Sequence, residues 1–201
     1  MKNYLALDTT GACMTVIIKY NGEYYKYRET HSFMKHGSTF MTVVEDLLAK
    51  SGASLRDLDF FACAVGAGSF TGIRIGISAI KAFCAATGKP YLSVTSFDTI
   101  AYNDINGKRL AVIDAKHGAY YVCGYDGKKV VLEPSFITKD ELLSLKGYEI
   151  TSFEDLGLGE KKTDACQGLI NAVESKTDEI SYDLDGLTPL YIRKSQAEEG
   201  R

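Results

Sequence analysis

The sequence lacks a strong excess of charge of either sign. Its 201 residues include 23 lysines and arginines against 26 aspartates and glutamates, which gives a net charge of −3. Nucleic-acid binding requires clustered cations that neutralise phosphates, so a slightly acidic chain is a poor nucleic-acid binder by itself. If RNA belongs to the biology of this protein, we expect a partner to hold most of it.

Paired cysteines are also missing. The five cysteines are Cys13, Cys63, Cys84, Cys123 and Cys166, an odd number with no C-x-x-C pair. This pattern does not suit a disulfide-stapled domain and is typical of a protein from a reducing compartment.

Targeting and membrane segments are not evident. Asp8 interrupts the apolar run that begins at Tyr4, so the N-terminal segment has no signal-peptide core. No apolar run approaches the roughly 20 residues that span a bilayer. We therefore expect a cytoplasmic protein without a membrane partner.

The composition itself is that of an ordinary globular protein, with 45% apolar and 24% charged residues. It excludes a long disordered chain, a collagen-like fibre and a coiled-coil rod. A chain of this length can form one two-lobed domain or two small ones. A polar stretch over residues 104–108 is the candidate boundary, which gives an N-terminal lobe of residues 1–103 and a smaller C-terminal lobe of residues 104–201, whose tail can pack back on the first lobe.

The N-terminal lobe is predicted to open with three antiparallel strands, because Asn21-Gly22 is a strong hairpin signal between two strand-like runs. The other elements predicted there are helices over 38–50, 73–86 and 96–102, and strands over 60–65 and 91–94. In the C-terminal lobe we expect strands over 109–113, 120–125 and 129–132, and helices over 138–145 and 164–174.

A glycine-rich loop, Gly66-Ala67-Gly68-Ser69-Phe70-Thr71-Gly72, follows strand 60–65. It is not a dinucleotide fingerprint, because Thr71 occupies the place of the third glycine, and no lysine follows as a P-loop requires. It is not a nucleophile elbow either, because Ala67 and Thr71 flank Ser69. Two interpretations remain: a helix N-terminus that holds an anion, or a tight packing turn that lets the helix lie close to the sheet.

The two long predicted helices carry more apolar surface than one core face needs. In helix 73–86, one stripe consists of Ile73, Ile77, Ile80 and Cys84, and a second of Ile75, Ala79, Ala82 and Ala86. A helix that is apolar over so much of its circumference must be covered on more than one side. The second lobe could provide this cover, but the pattern favours a protein–protein interface.

Two aspartates close strands in the two lobes. Asp8 precedes a Thr-Thr-Gly turn and Asp114 follows strand 109–113, at positions where a carboxylate can hold Mg²⁺ beside phosphates. Aspartate is also a common turn former. The repetition suggests a clefted, duplicated architecture. The histidines are His31, His36 and His117; none forms an i, i+4 pair, so we predict no metal site.

Several segments together resemble the TsaB (YeaZ) family. They are Leu5-Ala6-Leu7-Asp8-Thr9-Thr10, the run G-A-G-S-F-T-G-I-R-I-G over residues 66–76, Val94-Thr95-Ser96-Phe97-Asp98 and Pro189-Leu190-Tyr191-Ile192-Arg193. The similarity is strong over residues 1–102 and sparse beyond them, apart from Asp114-Ala115-Lys116 and the last of these segments. It implies an α/β fold of the ASKHA type, the actin, hexokinase and Hsp70 group, with two lobes of mixed sheets and a shortened second lobe.

The resemblance also implies a role in the synthesis of tRNA N6-threonylcarbamoyladenosine. In that family the chain is a non-catalytic, pseudoenzyme-like scaffold that supports the TsaD catalytic subunit, and the TsaE ATPase completes the complex. The first two helices bundle with those of TsaD, or with a second copy as a homodimer when TsaD is absent. The tRNA is then bound indirectly, through the complex. No cofactor is expected on this chain alone, and ATP with Mg²⁺ only in the complex.

The resemblance assigns two sets of residues. The candidate partner interface consists of Phe40, Met41, Val44, Leu48, Arg74, Ile77, Ile80, Lys81 and Cys84. The vestigial phosphate loops consist of Asp8, Thr9, Thr10, Gly68, Ser69 and Thr71. Ala67 replaces the usual proline of the loop, and the second lobe shows no clear nucleotide-binding glycine pair. These departures weaken the expectation that the chain binds a nucleotide, but they do not affect the expectation that it binds a partner.

Two enzymatic alternatives stay open beside this scaffold. The first is an ASKHA phosphotransferase that uses Asp8 and Asp114 around Mg²⁺. The second is a peptidase, because this group has been called glycoprotease-like. For the peptidase, the sequence offers neither a metal pair nor a supported Ser–His–Asp order, so no catalytic residue is assigned.

Overall fold

The protein is described by a computed structural model that covers residues 2–29 and 36–193, with the backbone alone at residues 36–38. The first lobe contains a five-stranded sheet in the order β3-β2-β1-β4-β5. Its strands are β1 (Tyr4–Asp8), β2 (Thr15–Tyr20), β3 (Glu23–Arg28), β4 (Phe60–Ala64) and β5 (Tyr91–Val94), and its helices are α1 (His36–Ser51), α2 (Phe70–Thr87) and α3 (Ser96–Ala101).

The second lobe is built around another five-stranded sheet, in the order β10-β9-β6-β7-β8. Its strands are β6 (Lys108–Asp114), β7 (Ala119–Asp126), β8 (Lys129–Thr138), β9 (Glu149–Ser152) and β10 (Lys161–Lys162). Two further helices follow in the chain, α4 (Lys139–Ser144) and α5 (Ala165–Ser175).

The two sheets repeat one topology. In each, the first three strands form an antiparallel meander, and two further strands add in parallel beside the first strand. Asp8 ends β1 and Asp114 ends the equivalent strand β6. The fold is therefore a two-lobed α/β fold of the ASKHA type, and the prediction of a duplicated architecture is confirmed.

The first sheet is covered on both faces. Leu5, Leu7 and Phe61 point to one side and pack with buried residues of α1 and α2. Tyr4 and Ala6 point to the other side and pack with buried residues of α3 and α5. Burial on both faces explains why β1 and β4 read as continuous apolar runs instead of alternating ones.

Helix α5 lies outside the lobe to which the sequence division assigns it. It packs against α3 and against β1, β2 and β3 of the first sheet. Lys19 Nζ donates a hydrogen bond of 2.6 Å to Glu174 Oε1, which pins the end of α5 to β2. Residues 104–164 therefore make the second lobe in space, while α5 and the segment after it return to the first.

Helix α2 begins at Phe70, three residues earlier than predicted. Ser69 is its N-cap, and the Ser69 hydroxyl accepts a hydrogen bond from the backbone N–H of Gly72. Gly88 ends it with a φ of 69°, the left-handed conformation that glycine adopts at low cost. Of the described helices, α2 alone is long and apolar enough to cross a bilayer, by length and composition only. That is weak evidence, since its buried side packs on the first sheet as a core helix does.

Candidate functional site

The glycine-rich loop packs tightly on the turn after β1. A Cβ atom on Gly68 would collide with the carbonyl oxygen of Thr10, and one on Gly72 would collide with that of Thr9. The backbone N–H of Ser69 donates to the Thr10 carbonyl at 2.7 Å. The Thr9 hydroxyl donates to the Gly72 carbonyl, also at 2.7 Å. Of the two interpretations left open, the geometry supports the packing turn, because the glycines make room for backbone and not for an anion.

Asp8 lies beside this turn and is almost fully buried. Its Oδ1 atom accepts hydrogen bonds from the backbone N–H of Thr10 at 2.8 Å and from the Thr10 hydroxyl at 2.7 Å. The Thr10 and Ser96 hydroxyls are in turn 2.8 Å apart. Asp8 therefore orders its own turn, as an aspartate at a strand end commonly does.

Asp114 holds the corresponding place in the second lobe and is paired with a lysine. Lys116 donates to Asp114 from its ammonium group and from its backbone N–H, each at 2.7 Å. Burial tends to raise the pKa of Asp114, but these bonds from Lys116 hold it below its usual value. Burial raises the pKa of nearby Glu154, which Lys116 partly opposes. The ammonium of Lys116 thus pairs with the Asp114 carboxylate, which would have to bind the metal ion in an Mg²⁺ site.

The cleft between the lobes is narrow. Its cavity has a volume of about 80 Å³ and is lined by residues that include Asp8, Thr10, Arg28, Ser96 and Glu154. Pockets for small molecules have volumes of roughly 300–1,000 Å³. Among the residues that the structure describes, no group of three or more His, Cys, Asp or Glu side chains could hold a metal ion.

The predicted phosphate-loop residues come together only in part. Asp8, Thr9 and Thr10 meet Gly68 and Ser69 through the contacts above, but only Asp8 and Thr10 line the cleft. Thr71 is exposed on the first turn of α2 and lines a surface groove instead. Of the histidines, His117 is exposed, while His31 and the side chain of His36 lie outside the described residues.

The three buried thiols are not nucleophiles that could replace these groups. All five cysteines are free, and Cys63, Cys84 and Cys123 are buried. Burial raises the pKa of Cys84 to about 11 and that of Cys123 to about 12. Burial raises the pKa of Cys63 further. A thiol with so high a pKa is protonated and inert at neutral pH.

Four of the predicted interface residues lie in the core of this chain. Val44 is 1% exposed, Ile77 7%, Ile80 0% and Cys84 3%. They pack under α1 and α2 against the first sheet. A side chain with almost no exposed surface cannot contact a partner, so the prediction is wrong for these four.

The other five predicted interface residues do reach the surface. Met41 is 39% exposed. Arg74 is exposed, and Phe40, Leu48 and Lys81 are half-buried. The structure adds residues of α2 that the interface prediction missed, namely Ile75, Ser78, Ala82 and Ala85, which are half-buried or exposed. We call the surface formed by Phe40, Met41, Arg74, Ile75, Ser78, Lys81, Ala82 and Ala85 the helix face.

A groove on the helix face runs between the starts of the two helices. It is lined by Phe40, Phe70, Thr71, Arg74, Ile75 and Ser78. The signal for part of this face was present in the sequence as the second apolar stripe of α2, which contains Ile75 and Ala82. The interface predicted from the sequence contains Ile77 and Ile80 of the first stripe instead.

The chain is similar in sequence to known proteins. A family model described as TsaD, tRNA N6-adenosine threonylcarbamoyltransferase, matches residues 31–198. The chain is 30% identical to the tRNA threonylcarbamoyladenosine biosynthesis protein TsaB of Escherichia coli over 161 residues, which are 73% of this chain and 69% of that protein. It is 24% identical to TsaB of Bacillus subtilis over 218 residues, covering 96% and 95% of the two chains.

A solved structure shares the fold. YeaZ from Pseudomonas aeruginosa superposes with a TM-score of 0.78 over 95% of this chain and 100% of that chain, at 20% sequence identity.

Proposed function

The chain belongs to the TsaB/YeaZ family of tRNA threonylcarbamoyladenosine biosynthesis proteins, and we propose that it acts there as a non-catalytic scaffold. In this proposal it binds a TsaD-type threonylcarbamoyltransferase through the helix face and holds that enzyme in an active arrangement. The observation that carries the proposal is the outward-facing apolar stripe of α2, beside the exposed Met41 of α1.

The side chains on α2 suit a helix as the partner. Ser78, Ala82 and Ala85 are small and lie on the outer side of the helix. Small side chains let a second helix approach closely, and the larger Phe40, Met41 and Ile75 can pack into its grooves. Arg74 and Lys81 border the apolar surface, as charged groups do at the rim of an interface.

The inner side of the same helices supports their use as a rigid platform. Val44, Ile77 and Ile80 anchor α1 and α2 to the first sheet. Partner binding through their outer side then requires little rearrangement, which keeps the entropic cost of association low.

The cleft supports a non-catalytic role. Asp8 is engaged by Thr10, Asp114 is engaged by Lys116, and the cavity that Asp8 lines is small. An active phosphotransferase would need both carboxylates for Mg²⁺ and space for a nucleotide. We propose that the chain alone binds no cofactor and that ATP and Mg²⁺ act only in the complex. That complex includes the TsaE ATPase, meets tRNA in the cytoplasm, and is replaced by a homodimer when TsaD is absent.

The test is size-exclusion chromatography with light scattering on this chain, on TsaD from the same organism and on their mixture. We expect a new species in the mixture, and tRNA modification only when both proteins are present with TsaE. Ala82→Glu places a charge on the exposed side of α2, and we expect it to weaken the complex at least about tenfold. If the two proteins in the mixture elute separately at their own sizes, even with TsaE and ATP added, the proposal is refuted.

A matched control separates the interface from a general effect of added charge. Val131→Glu makes the same kind of change at an exposed apolar residue of β8 in the second lobe. It should leave the complex intact. Both variants should melt at the temperature of the unmodified chain, and equal binding by the two variants would disprove the helix face as the contact surface.

A further inference from the structure

The segment 188–193 bridges the two lobes and is fixed near both of its ends. The backbone N–H of Leu190 donates to the carbonyl of Val65, directly after β4, at 2.7 Å. On the second lobe, the Arg193 guanidinium lies 4.8 Å from the centre of the Phe136 ring on β8. The residues between these two contacts are therefore held in place beside the first lobe.

One of them, Tyr191, holds Arg74 of α2. The Tyr191 ring stacks on Phe70 with ring centres 4.6 Å apart. The Arg74 guanidinium carbon lies 3.9 Å from the centre of the Phe70 ring, and Arg74 Nε donates to the Tyr191 hydroxyl at 3.0 Å. One face and one edge of the planar guanidinium are thus engaged, and neither contact neutralises its charge.

The two terminal nitrogens of Arg74 are left for a partner. Arg74 is exposed, and none of the ion pairs among the described residues involves it. Its hydrogen bond within this part of the chain comes from Nε alone. A guanidinium binds a carboxylate most strongly through two parallel N–H donors, and the terminal nitrogens provide such a pair.

The groove on the helix face places this cation beside apolar surface. Arg74 lines it together with Phe40, Phe70 and Ile75, and its cavity has a volume of about 580 Å³. That volume lies within the range of roughly 300–1,000 Å³ that is typical of binding pockets. Among the described residues that line the groove, Arg74 alone is charged. A molecule that covers the groove must therefore bring a negative charge or leave the arginine buried without a counter-ion, which is costly.

We propose that Arg74 pairs with an aspartate or glutamate side chain on a helix of the TsaD-type enzyme, and that Tyr191 is the positioning residue that presents Arg74. This inference rests on the proposed function, because that enzyme is taken to cover the helix face. A guanidinium that is already fixed loses little side-chain freedom on binding. A partner surface without a carboxylate at this point is rejected, which makes Arg74 a determinant of specificity. The bridge segment thereby becomes part of an interface that the sequence prediction places on α1 and α2 alone.

The first test measures the affinity of TsaD from the same organism for variants of Arg74. Arg74→Lys keeps the charge but cannot form two parallel bonds, and we expect about tenfold weaker binding. Arg74→Glu should weaken binding further, and Arg56→Glu, at an exposed residue outside the helix face, should leave it unchanged. Equal affinities of the unmodified chain and both Arg74 variants would overturn the proposal.

A charge swap tests the chemistry of the partner group. Each surface aspartate and glutamate of TsaD is replaced by arginine in turn, and we expect one replacement to weaken the complex strongly. Arg74→Glu should restore that complex, whereas Lys81→Glu, at another cation of the helix face, should not. If Arg74→Glu rescues none of the replacements, the carboxylate assignment is wrong.

Tyr191→Phe tests the positioning role, because it keeps the stacked ring and removes only the hydroxyl that accepts from Arg74. We expect about threefold weaker binding of TsaD, and no further loss when Tyr191→Phe is added to Arg74→Met. Nuclear magnetic resonance relaxation of the Arg74 Nε–H group in the free chain gives a second readout. Its order parameter should lie above about 0.6 and fall below that value in Tyr191→Phe. An unchanged order parameter, or equal losses of affinity in both backgrounds, would exclude positioning by Tyr191.

The two proposals fail in different ways. If the unmodified chain does not join TsaD, the scaffold proposal fails and the pairing of Arg74 fails with it. If the unmodified chain joins TsaD and every Arg74 variant joins it with the same affinity, the scaffold stands and only the pairing of Arg74 is wrong.

Discussion

The hydroxyl of Tyr125 on β7 donates a hydrogen bond of 2.9 Å to Oδ1 of Asp98 on α3, which joins the second lobe to the first in the buried interior. The other carboxylate oxygen of Asp98 accepts from Lys176 Nζ at 2.9 Å and from the backbone N–H of Thr95 at 2.8 Å. One carboxylate therefore caps α3 and ties together both lobes and the segment after α5. This gives a structural reason for the aspartate that ends the Val94–Asp98 sequence segment.

Asp98→Asn should destabilise the fold by about 2–3 kcal/mol, because it leaves the Lys176 ammonium without its carboxylate in a largely buried place. Tyr125→Phe removes a single hydrogen bond and should cost about 1 kcal/mol. Urea denaturation followed by circular dichroism measures both. If Asp98→Asn is as stable as the unmodified chain, the carboxylate does not hold the lobes together.

Gly72→Ala should destabilise the fold by about 3 kcal/mol, because the added methyl group meets the Thr9 carbonyl, which is backbone and cannot move aside. Gly11→Ala is the matched control on the facing turn, where the nearest atom to an added Cβ is 4.0 Å away. Its cost should stay within about 0.5 kcal/mol. Equal stabilities of the two variants would argue against a packing role for the glycine-rich loop.

Glu154 should make stability fall with rising pH. Burial raises the pKa of Glu154 above its ordinary 4.5, so the folded state binds its proton more tightly than the unfolded state. The stabilisation is then complete below about pH 4.5 and is lost as pH rises through the folded-state pKa. Glu154→Gln, which cannot ionise, should flatten this decline in urea titrations carried out at a series of pH values above about 4.5. An unchanged profile would mean that the carboxyl is ionised in both states.

Thiol labelling should divide the cysteines into two groups. Cys13 and Cys166 are partly exposed, while Cys63, Cys84 and Cys123 are buried with raised pKa values. Iodoacetamide at neutral pH should therefore modify Cys13 in the folded protein. It should modify Cys166 more slowly, because burial raises the pKa of that thiol, and all five cysteines only after denaturation. Mass spectrometry identifies the modified peptides. Early modification of Cys84 would show that α2 separates from the sheet.

Much of the first lobe is predictable because its signals are local. The Asn21-Gly22 turn, the apolar runs of β1 and β4 and the glycine that ends α2 each act within a few residues. The sequence predicts the start of α2 three residues too late, because Ser69, its N-cap, stands in a glycine-rich run that is typical of a loop. In the second lobe, β9 and β10 escaped prediction, since strands of four and two residues carry almost no periodic pattern.

The candidate site was harder to predict for a geometric reason. A helical wheel reveals two apolar stripes on α2 but does not say which one faces the helix's own sheet. The answer depends on how α2 packs on the sheet. Ile77 and Ile80 face inward and pack near Phe61, whereas Ile75 and Ala82 face outward. The stacking of Tyr191 on Phe70 was beyond reach, because the two residues stand 121 positions apart in the chain.

The bridge that residues 188–193 form between the lobes has a practical consequence for protein engineering. Arg193 lies close to the helix face, because Tyr191, two residues before it, stacks on Phe70 and accepts a hydrogen bond from Arg74. The N-terminus leads into β1 at the end of that strand away from Asp8 and the glycine-rich loop. A purification handle for interaction studies therefore belongs at the N-terminal end of the chain, and a distance probe that reports on assembly belongs beside Arg193.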